Sequence, residues 1–128
     1  MARVLALVPD LMFGSRVQGS LTAAGHEVEL IGDEPRLRDR LANQGTPASV
    51  LVVDLADPAL EGAAIVESLS REGALARTRT LGFYAHVDAS ARERAERAGF
   101  DLVVPRSRMA REGAELVARL AARAPASG

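Results

Sequence analysis

Five short apolar runs alternate along the chain with five stretches in which apolar residues recur at helical spacing. Residues 4–8 and 50–53 are apolar at every position, which is typical of strands buried on both faces of a sheet. Residues 27–31 begin with polar and apolar residues in alternation, so this run predicts a strand near a sheet edge. Residues 81–84 and 102–104 complete the set, and the pattern predicts five βα units.

The helical stretches carry recognisable boundaries and inner faces. Gly25 stands where a left-handed residue ends the first helix, and Asp33 can cap the start of the second. The predicted inner faces are Phe13, Val17, Ser20, Leu21 and Ala24 in the first helix; Leu37 and Leu41 in the second; Gly62, Ile65, Val66 and Leu69 in the third; Ala91, Ala95 and Ala98 in the fourth; and Ala110, Gly113, Ala114, Val117, Leu120, Ala121 and Ala124 in the fifth.

Strand–helix alternation of this kind predicts an α/β protein with helices on both faces of a parallel sheet. The two fully apolar strands belong in the middle and the second strand at an edge. We therefore expect a (βα)5 flavodoxin-like three-layer sandwich with strand order 2-1-3-4-5. Residues 1–123 form one predicted domain, and residues 124–128 form a flexible C-terminal tail.

Composition narrows the range of possible functions. The chain has 128 residues, no cysteine, and 16 basic residues that are all arginine, which removes disulfides, thiolates and lysine chemistry. A net charge of −1 argues against nucleic acid or an anionic membrane as the main partner. No apolar run approaches the roughly 20 residues of a membrane helix. We expect a cytoplasmic protein.

Four chemically notable residues follow the predicted strands. Asp10 follows the first strand, Asp54 ends the third, Tyr84 ends the fourth, and Arg106 follows the fifth. Because the carboxyl ends of parallel strands meet at one edge of the sheet, where such folds bind ligands, the fold would bring these four together.

Four stretches of the chain resemble the CheY-like receiver domains of bacterial response regulators. Asp54 is followed by a proline and a glycine at the family's spacing, Pro58 and Gly62. Residues 84–88, Tyr-Ala-His-Val-Asp, are similar to the receiver Thr-Ala-x-x-Asp segment, and residues 98–101, Ala-Gly-Phe-Asp, to Ala-Gly-Ala-Asp. Residues 3–8 resemble the first receiver strand. The spacing from Asp54 to Tyr84 to Arg106 matches without gaps, and the resemblance spans nearly the whole chain.

The resemblance implies a phospho-acceptor at Asp54 and a Mg²⁺ site formed by Asp54 with two acids after the first strand. Counted back from Asp54, Asp10 falls on the second acid and Pro9 on the first. Counted from Gly25, the match shifts to Val8 and Pro9, with no acid. Either way the metal pocket has lost at least one carboxylate.

The switch positions also depart from the family pattern. Tyr84 stands where the family has Thr or Ser, and Val103 where it often has a Tyr or Phe that rotates on activation. Arg106 stands where the family has a lysine, so a planar guanidinium replaces a compact ammonium group. Ser107 replaces the proline that usually follows.

Each candidate residue also has a simpler interpretation. Asp10 is an N-cap or a metal ligand, and Asp57 is a helix cap rather than a ligand. Tyr84 is an aromatic packed at the rim of the core rather than a switch. Arg106 is a surface arginine or, as we favour, the partner of Asp54. His26 and His86 are expected in exposed turns or loops, outside any catalytic site.

Three functions remain open. The leading hypothesis is a non-enzymatic pseudo-receiver that acts in two-component signalling through protein contacts, with phosphorylation impaired or absent. Its partner would be a histidine kinase, a downstream signalling protein, or a second copy docked through the fourth helix, fifth strand and fifth helix. The second is a degenerate but functional Mg²⁺-dependent phospho-acceptor in a phosphorelay. The third is a small-molecule-binding flavodoxin-like domain, which the missing phosphate-binding and cobalamin-binding motifs disfavour.

Overall fold

The computed structural model describes residues 2–85 and 89–123. Its elements are β1 (Arg3–Leu7), α1 (Leu11–Ala23), β2 (Glu27–Ile31), α2 (Glu34–Ala42), β3 (Val50–Asp54), α3 (Gly62–Arg71), β4 (Arg79–Tyr84), α4 (Ala89–Ala98), β5 (Leu102–Pro105) and α5 (Arg106–Ala122). His86, the end of the motif at residues 84–88, and the tail at residues 124–128 lie outside the described residues. No helix in the described ranges is both long and apolar enough to cross a membrane.

The five strands form one parallel sheet in the order β2-β1-β3-β4-β5. This order confirms the predicted α/β fold, with β2 at an edge, and with β1 and β3, which carry the two fully apolar runs, inside. All residues of β3 are buried, because the strand has a neighbour on each side and helices over both faces.

Alternation along the strands divides the core into two apolar layers. Val4, Ala6, Val50 and Val52 belong to the layer that packs against α1 and α5. Leu5, Leu7, Leu51 and Val53 belong to the layer that packs against α2, α3 and α4. Each central strand therefore presents apolar side chains to both faces of the sheet, because helices cover both faces.

Helix boundaries follow the predicted signals with one exception. The Asp33 carboxylate accepts the backbone N–H of Arg36 at 2.9 Å and caps α2, and Gly25 takes a left-handed φ of +94° after α1. Asp57 was expected to cap a helix, and this is wrong. Its carboxylate accepts the N–H of Ala59 at 3.0 Å within a turn that precedes α3.

Two further expectations are corrected by the packing. His26 is buried at 8% exposure, with Nδ1 accepting the N–H of Ala2 at 3.1 Å and Nε2 lying 3.4 Å from the carbonyl oxygen of Ala114. The imidazole thus joins the start of β1 to α5. In α5, Ala110 is exposed, while Met109 and Leu116 enter the core in addition to the predicted Gly113, Val117 and Leu120.

Gly62 allows α3 to begin close against the end of β3. A Cβ at this position would lie 2.7 Å from Cγ1 of Val53 and 3.2 Å from the carbonyl oxygen of Asp54. The glycine eight residues after Asp54 therefore has a packing reason: a larger residue would push α3 away from the strand end that carries the Asp54 carboxylate.

We expect Gly62→Ala to destabilise the fold by about 1–3 kcal/mol, because the added methyl overfills this contact. The matched control is Gly19→Ala, in the interior of α1, where a Cβ would meet nothing within 4 Å. That variant should gain about 0.5–1 kcal/mol from helix propensity. Urea unfolding of both variants measures the difference, and equal effects would contradict the packing argument.

Candidate functional site

Both carboxylate oxygens of Asp10 are engaged at the carboxyl end of the sheet. Asp10 precedes α1 as its N-cap, and Oδ1 accepts the backbone N–H groups of Met12 at 3.0 Å and Phe13 at 3.1 Å. Oδ2 lies 3.4 Å from Nη2 of Arg106. The N-cap interpretation of Asp10 is confirmed, and the remaining oxygen faces a guanidinium.

Arg106 is the first residue of α5 and is held on a second side by an aromatic ring. Its guanidinium carbon lies 4.1 Å from the centroid of the Phe13 ring, which is a cation–π contact. The Phe13 ring in turn packs against Phe83 of β4, with centroids 5.0 Å apart and planes tilted by 49°. A continuous stack thus runs from the buried end of β4 to the guanidinium.

The expected partner of Arg106 was Asp54, and this expectation is wrong. The ion pair that the structure contains is with Asp10. The reason is positional, because Asp10 and Phe13 lie on the same turn of α1 and together offer a carboxylate and a ring face to the start of α5. Arg106 still acts on Asp54 through its charge, at longer range.

Asp54 ends β3 with its side chain buried, at 4% exposure. Its Oδ1 accepts the N–H of Ala56 at 2.8 Å. Burial is the main cause that raises the pKa of Asp54 above its usual range, although backbone N–H groups of Ala56 and Asp57 and the charge of Arg106 act the other way. At Asp10 the N–H group of Phe13 leads the causes that lower the pKa, and Arg106 adds to them.

Tyr84 and Val103 lie at the positions that the resemblance assigns to the switch. Tyr84 ends β4 and is 7% exposed, so it packs at the rim of the core as expected. Val103 is half-buried and packs against the layer under α2, α3 and α4. Their roles as switch residues stay predictions.

The donor set does not fit a magnesium ion. Mg²⁺ demands six hard ligands in near-octahedral geometry, usually one or two carboxylates together with several waters. Here Pro9 supplies no carboxylate, one oxygen of Asp10 caps a helix and the other faces Arg106. Within residues 2–85 and 89–123, no three histidine or acidic side chains group closely enough to hold a metal ion.

Phe13 belongs to this site, although the sequence pattern places it only on the inner face of α1. The signal that could have found it is its position three residues after Asp10. A residue at this position in a capped helix donates its N–H to the cap and so lies on the same turn. Residues three apart are also neighbours on one side of a helix, so Phe13 lies beside the capping residue.

At the level of sequence, no protein-family model matches this chain, and no curated protein matches it. Solved structures do share its fold. The receiver domain of the Francisella response regulator 1452 superposes with a TM-score of 0.83 over 96% of this chain and 98% of its own, at 15% identity. FixJ-N aligns with a TM-score of 0.83 over 99% of this chain and 98% of that one, at 16% identity. CheY4 of Vibrio cholerae, a chemotaxis response regulator, aligns with a TM-score of 0.79 over 94% and 98%, at 19% identity.

The chain therefore has the fold of response regulator receiver domains. Identities of 15–19% establish a shared fold and nothing finer.

Because the pKa of Asp10 is lowered in the fold, its charge contributes stability that is complete above its ordinary pKa and is lost as pH falls through the folded value. We expect Asp10→Asn, which keeps an N-cap oxygen, to be slightly less stable than wild type at pH 7 and equal to it in acid. Urea unfolding across this pH range tests the prediction. A deficit that persists in acid would mean that the cap geometry, and not the charge facing Arg106, is what matters.

At Asp54 the ionised carboxylate should lower the stability of the fold, which is opposite to its effect at Asp10. Because its folded pKa is raised, the carboxylate opposes folding above that pKa, and the opposition disappears as pH falls below the ordinary value. Asp54→Asn keeps an acceptor for the Ala56 N–H and should stabilise the domain at pH 7, with a gain that shrinks in acid. Unfolding at pH 7 and at pH 4 measures this, and a loss of stability at pH 7 would refute it.

Proposed function

We propose that this domain is an atypical receiver in bacterial two-component signalling, which works through protein contacts without phosphorylation of Asp54. Its fold is that of receiver domains of response regulators. The observation that carries the proposal is the contact of Arg106 with both Oδ2 of Asp10 and the ring of Phe13. This places a permanent cation against the carboxylate that the resemblance assigns to the metal.

Phosphoryl transfer to a carboxylate needs an ionised nucleophile and a means of neutralising the phosphoryl charge. The raised pKa of Asp54 works against ionisation, and Asp10 already faces an arginine. Tyr84 fills the position where the family has a small hydroxyl, with its ring buried. We therefore propose that the pocket binds no Mg²⁺ and that Asp54 remains unmodified.

A Mg²⁺-dependent phospho-acceptor is the second candidate, and one observation favours it. Asp54 lies at the carboxyl end of a central strand, where the resemblance places the acceptor, and within the described residues its hydrogen bonds come from the backbone of its own turn. For this function Arg106 would have to leave Asp10. The two candidates therefore differ in a single measurable property, the affinity of the pocket for a metal and a phosphoryl analogue.

We further propose that the domain is cytoplasmic and has no catalytic activity of its own. Its partner would be a histidine kinase or a downstream signalling protein. Docking through α4, β5 and α5 follows from the resemblance and stays a prediction.

Titration with beryllofluoride and Mg²⁺, followed by amide chemical shifts, decides between the two candidates. We expect no saturable shifts near Asp54 at millimolar Mg²⁺. A stable adduct on the wild type that is absent in Asp54→Asn would overturn the proposed function.

A restored variant provides the control for a negative result. Pro9→Asp, Tyr84→Thr and Arg106→Lys together return the family's residues to three positions. If these departures are the cause, the triple variant should gain the Mg²⁺-dependent shifts that the wild type lacks. If the folded triple variant also fails to respond, the cause lies elsewhere in the pocket.

A further inference from the structure

Three arginines line one cavity at the amino end of the sheet, which is the end opposite to Asp54. The cavity has a volume of about 230 Å³. Its charged lining residues are Arg77 in the turn before β4, Arg79 at the start of β4, and Arg123 at the end of α5. Within the described residues, no acidic side chain lines it. We call it the amino-end cavity.

Hydrogen bonds hold the wall of the amino-end cavity in place. The carbonyl oxygen of Ser49, which also lines the cavity, accepts the N–H of Arg79 at 2.9 Å. The buried hydroxyl of Thr78 donates to the carbonyl oxygen of Ala48 at 2.9 Å. The segment that carries Arg77 and Arg79 is therefore tied at two points to the segment before β3. A ligand would meet a wall that is already ordered, which lowers the entropic cost of binding.

The three arginines differ in how far acidic side chains compensate their charges. Nη1 of Arg79 lies 3.5 Å from Oδ1 of Asp101, so the charge of Arg79 is partly offset. Arg77 and Arg123 are exposed and take no part in the ion pairs of residues 2–85 and 89–123. The helix dipole favours a cation at the end of α5. It gives no reason for Arg77 and Arg79 to line the same cavity.

We propose that the amino-end cavity binds a phosphate dianion, either free or as the monoester of a small molecule. A phosphate monoester carries a charge of about −1.5 to −2 at pH 7, which two arginines without acidic partners would compensate. Guanidinium groups donate paired N–H groups to phosphate oxygens. The hydroxyl of Ser49, on the same lining, can donate a further hydrogen bond.

The size and lining of the cavity restrict the ligand. Cavities that enclose drug-sized ligands have volumes of roughly 300–1,000 Å³. At about 230 Å³, this one would enclose the phosphate group and leave most of an organic part outside. A carboxylate presents its oxygens in one plane, whereas a tetrahedral phosphate can accept from arginines on several elements. Single-stranded nucleic acid needs aromatic rings for stacking, and the apolar residues of this lining are Pro47 and Ala121.

The inference goes beyond the proposed function and does not depend on it. The amino-end cavity and Asp54 lie at opposite ends of the strands, and they share no residue. A phosphate bound at the amino end would be recognised whether or not Asp54 accepts a phosphoryl group.

The probes are AMP, inorganic phosphate, adenosine, and malonate as a dicarboxylate. Binding to the labelled wild type at constant ionic strength and without Mg²⁺ is followed by amide chemical shifts. AMP should bind with a Kd on the order of 1 mM or below and shift resonances of Ser49, of residues 77–80 and of the end of α5. Adenosine should not bind, and malonate should bind at least about fivefold more weakly. Inorganic phosphate separates the two sources, because a Kd equal to that of AMP indicates free phosphate and a higher one indicates the ester.

Two double variants with the same change in net charge locate the binding. Arg77→Gln with Arg123→Gln should raise the Kd for AMP about tenfold or more. Arg94→Gln with Arg111→Gln is the matched control. These two arginines are also exposed and outside the ion pairs of the described residues, but they lie within α4 and in the first half of α5. The control should keep the Kd within about twofold of wild type, and amide spectra verify that each variant is folded.

The proposal is overturned if adenosine or malonate binds as tightly as AMP, if both double variants weaken AMP equally, or if the shifts fall at the carboxyl end of the sheet. Tighter binding of a single-stranded oligonucleotide, lost in the Arg77 and Arg123 variant, would assign the cavity to nucleic acid and also overturn it. A beryllofluoride adduct on Asp54 would end the proposed function and leave the binding of AMP unchanged, so the two failures can be told apart.

Discussion

The arrangement of side chains at the carboxyl end of the sheet depends on the guanidinium of Arg106. A cation at the first position of a helix opposes the helix dipole and needs compensation. Asp10 supplies a carboxylate at 3.4 Å and Phe13 a ring face at 4.1 Å, both from the first turn of α1. In this contact both oxygens of Asp10 already have partners. A lysine, with its mobile point charge, could not stack on the ring and face the carboxylate with the same planar group.

The two aspartates of the site have identical side chains, but their surroundings shift their pKa values in opposite directions. Asp10 is solvent-accessible, accepts two backbone N–H groups and faces a cation, so its charged form is favoured. Asp54 is buried in the middle of the sheet, and desolvation outweighs its hydrogen bonds. In a pocket with a divalent ion, the metal's charge would offset that desolvation. Here the charge of Arg106 lowers the pKa of Asp54, but the ion pair of Arg106 is with the other carboxylate.

Sequence reasoning succeeded where a single residue or a simple period determines the outcome. The two fully apolar runs had to be central, and Gly25 had to be left-handed. It failed where the outcome depends on how separate elements meet. The partner of Arg106 is decided by the placement of α1 against α5, which are far apart in sequence. His26 looks like a turn residue, yet the turn carries its ring between Ala2 and Ala114. Periodicity also misplaced Ala110 and missed Met109, since a shift of one residue rotates a helical face by about 100°.

The start of α1 joins these observations, because four consecutive residues there have three different roles. Asp10 caps the helix and faces Arg106, Leu11 and Met12 are exposed, and Phe13 reaches the core and supports the guanidinium. The backbone N–H of Met12 is itself bonded to the Asp10 carboxylate. The exposed apolar pair and the Asp10 carboxylate are therefore tied to each other by a hydrogen bond and lie within the same turn as the Arg106 contact.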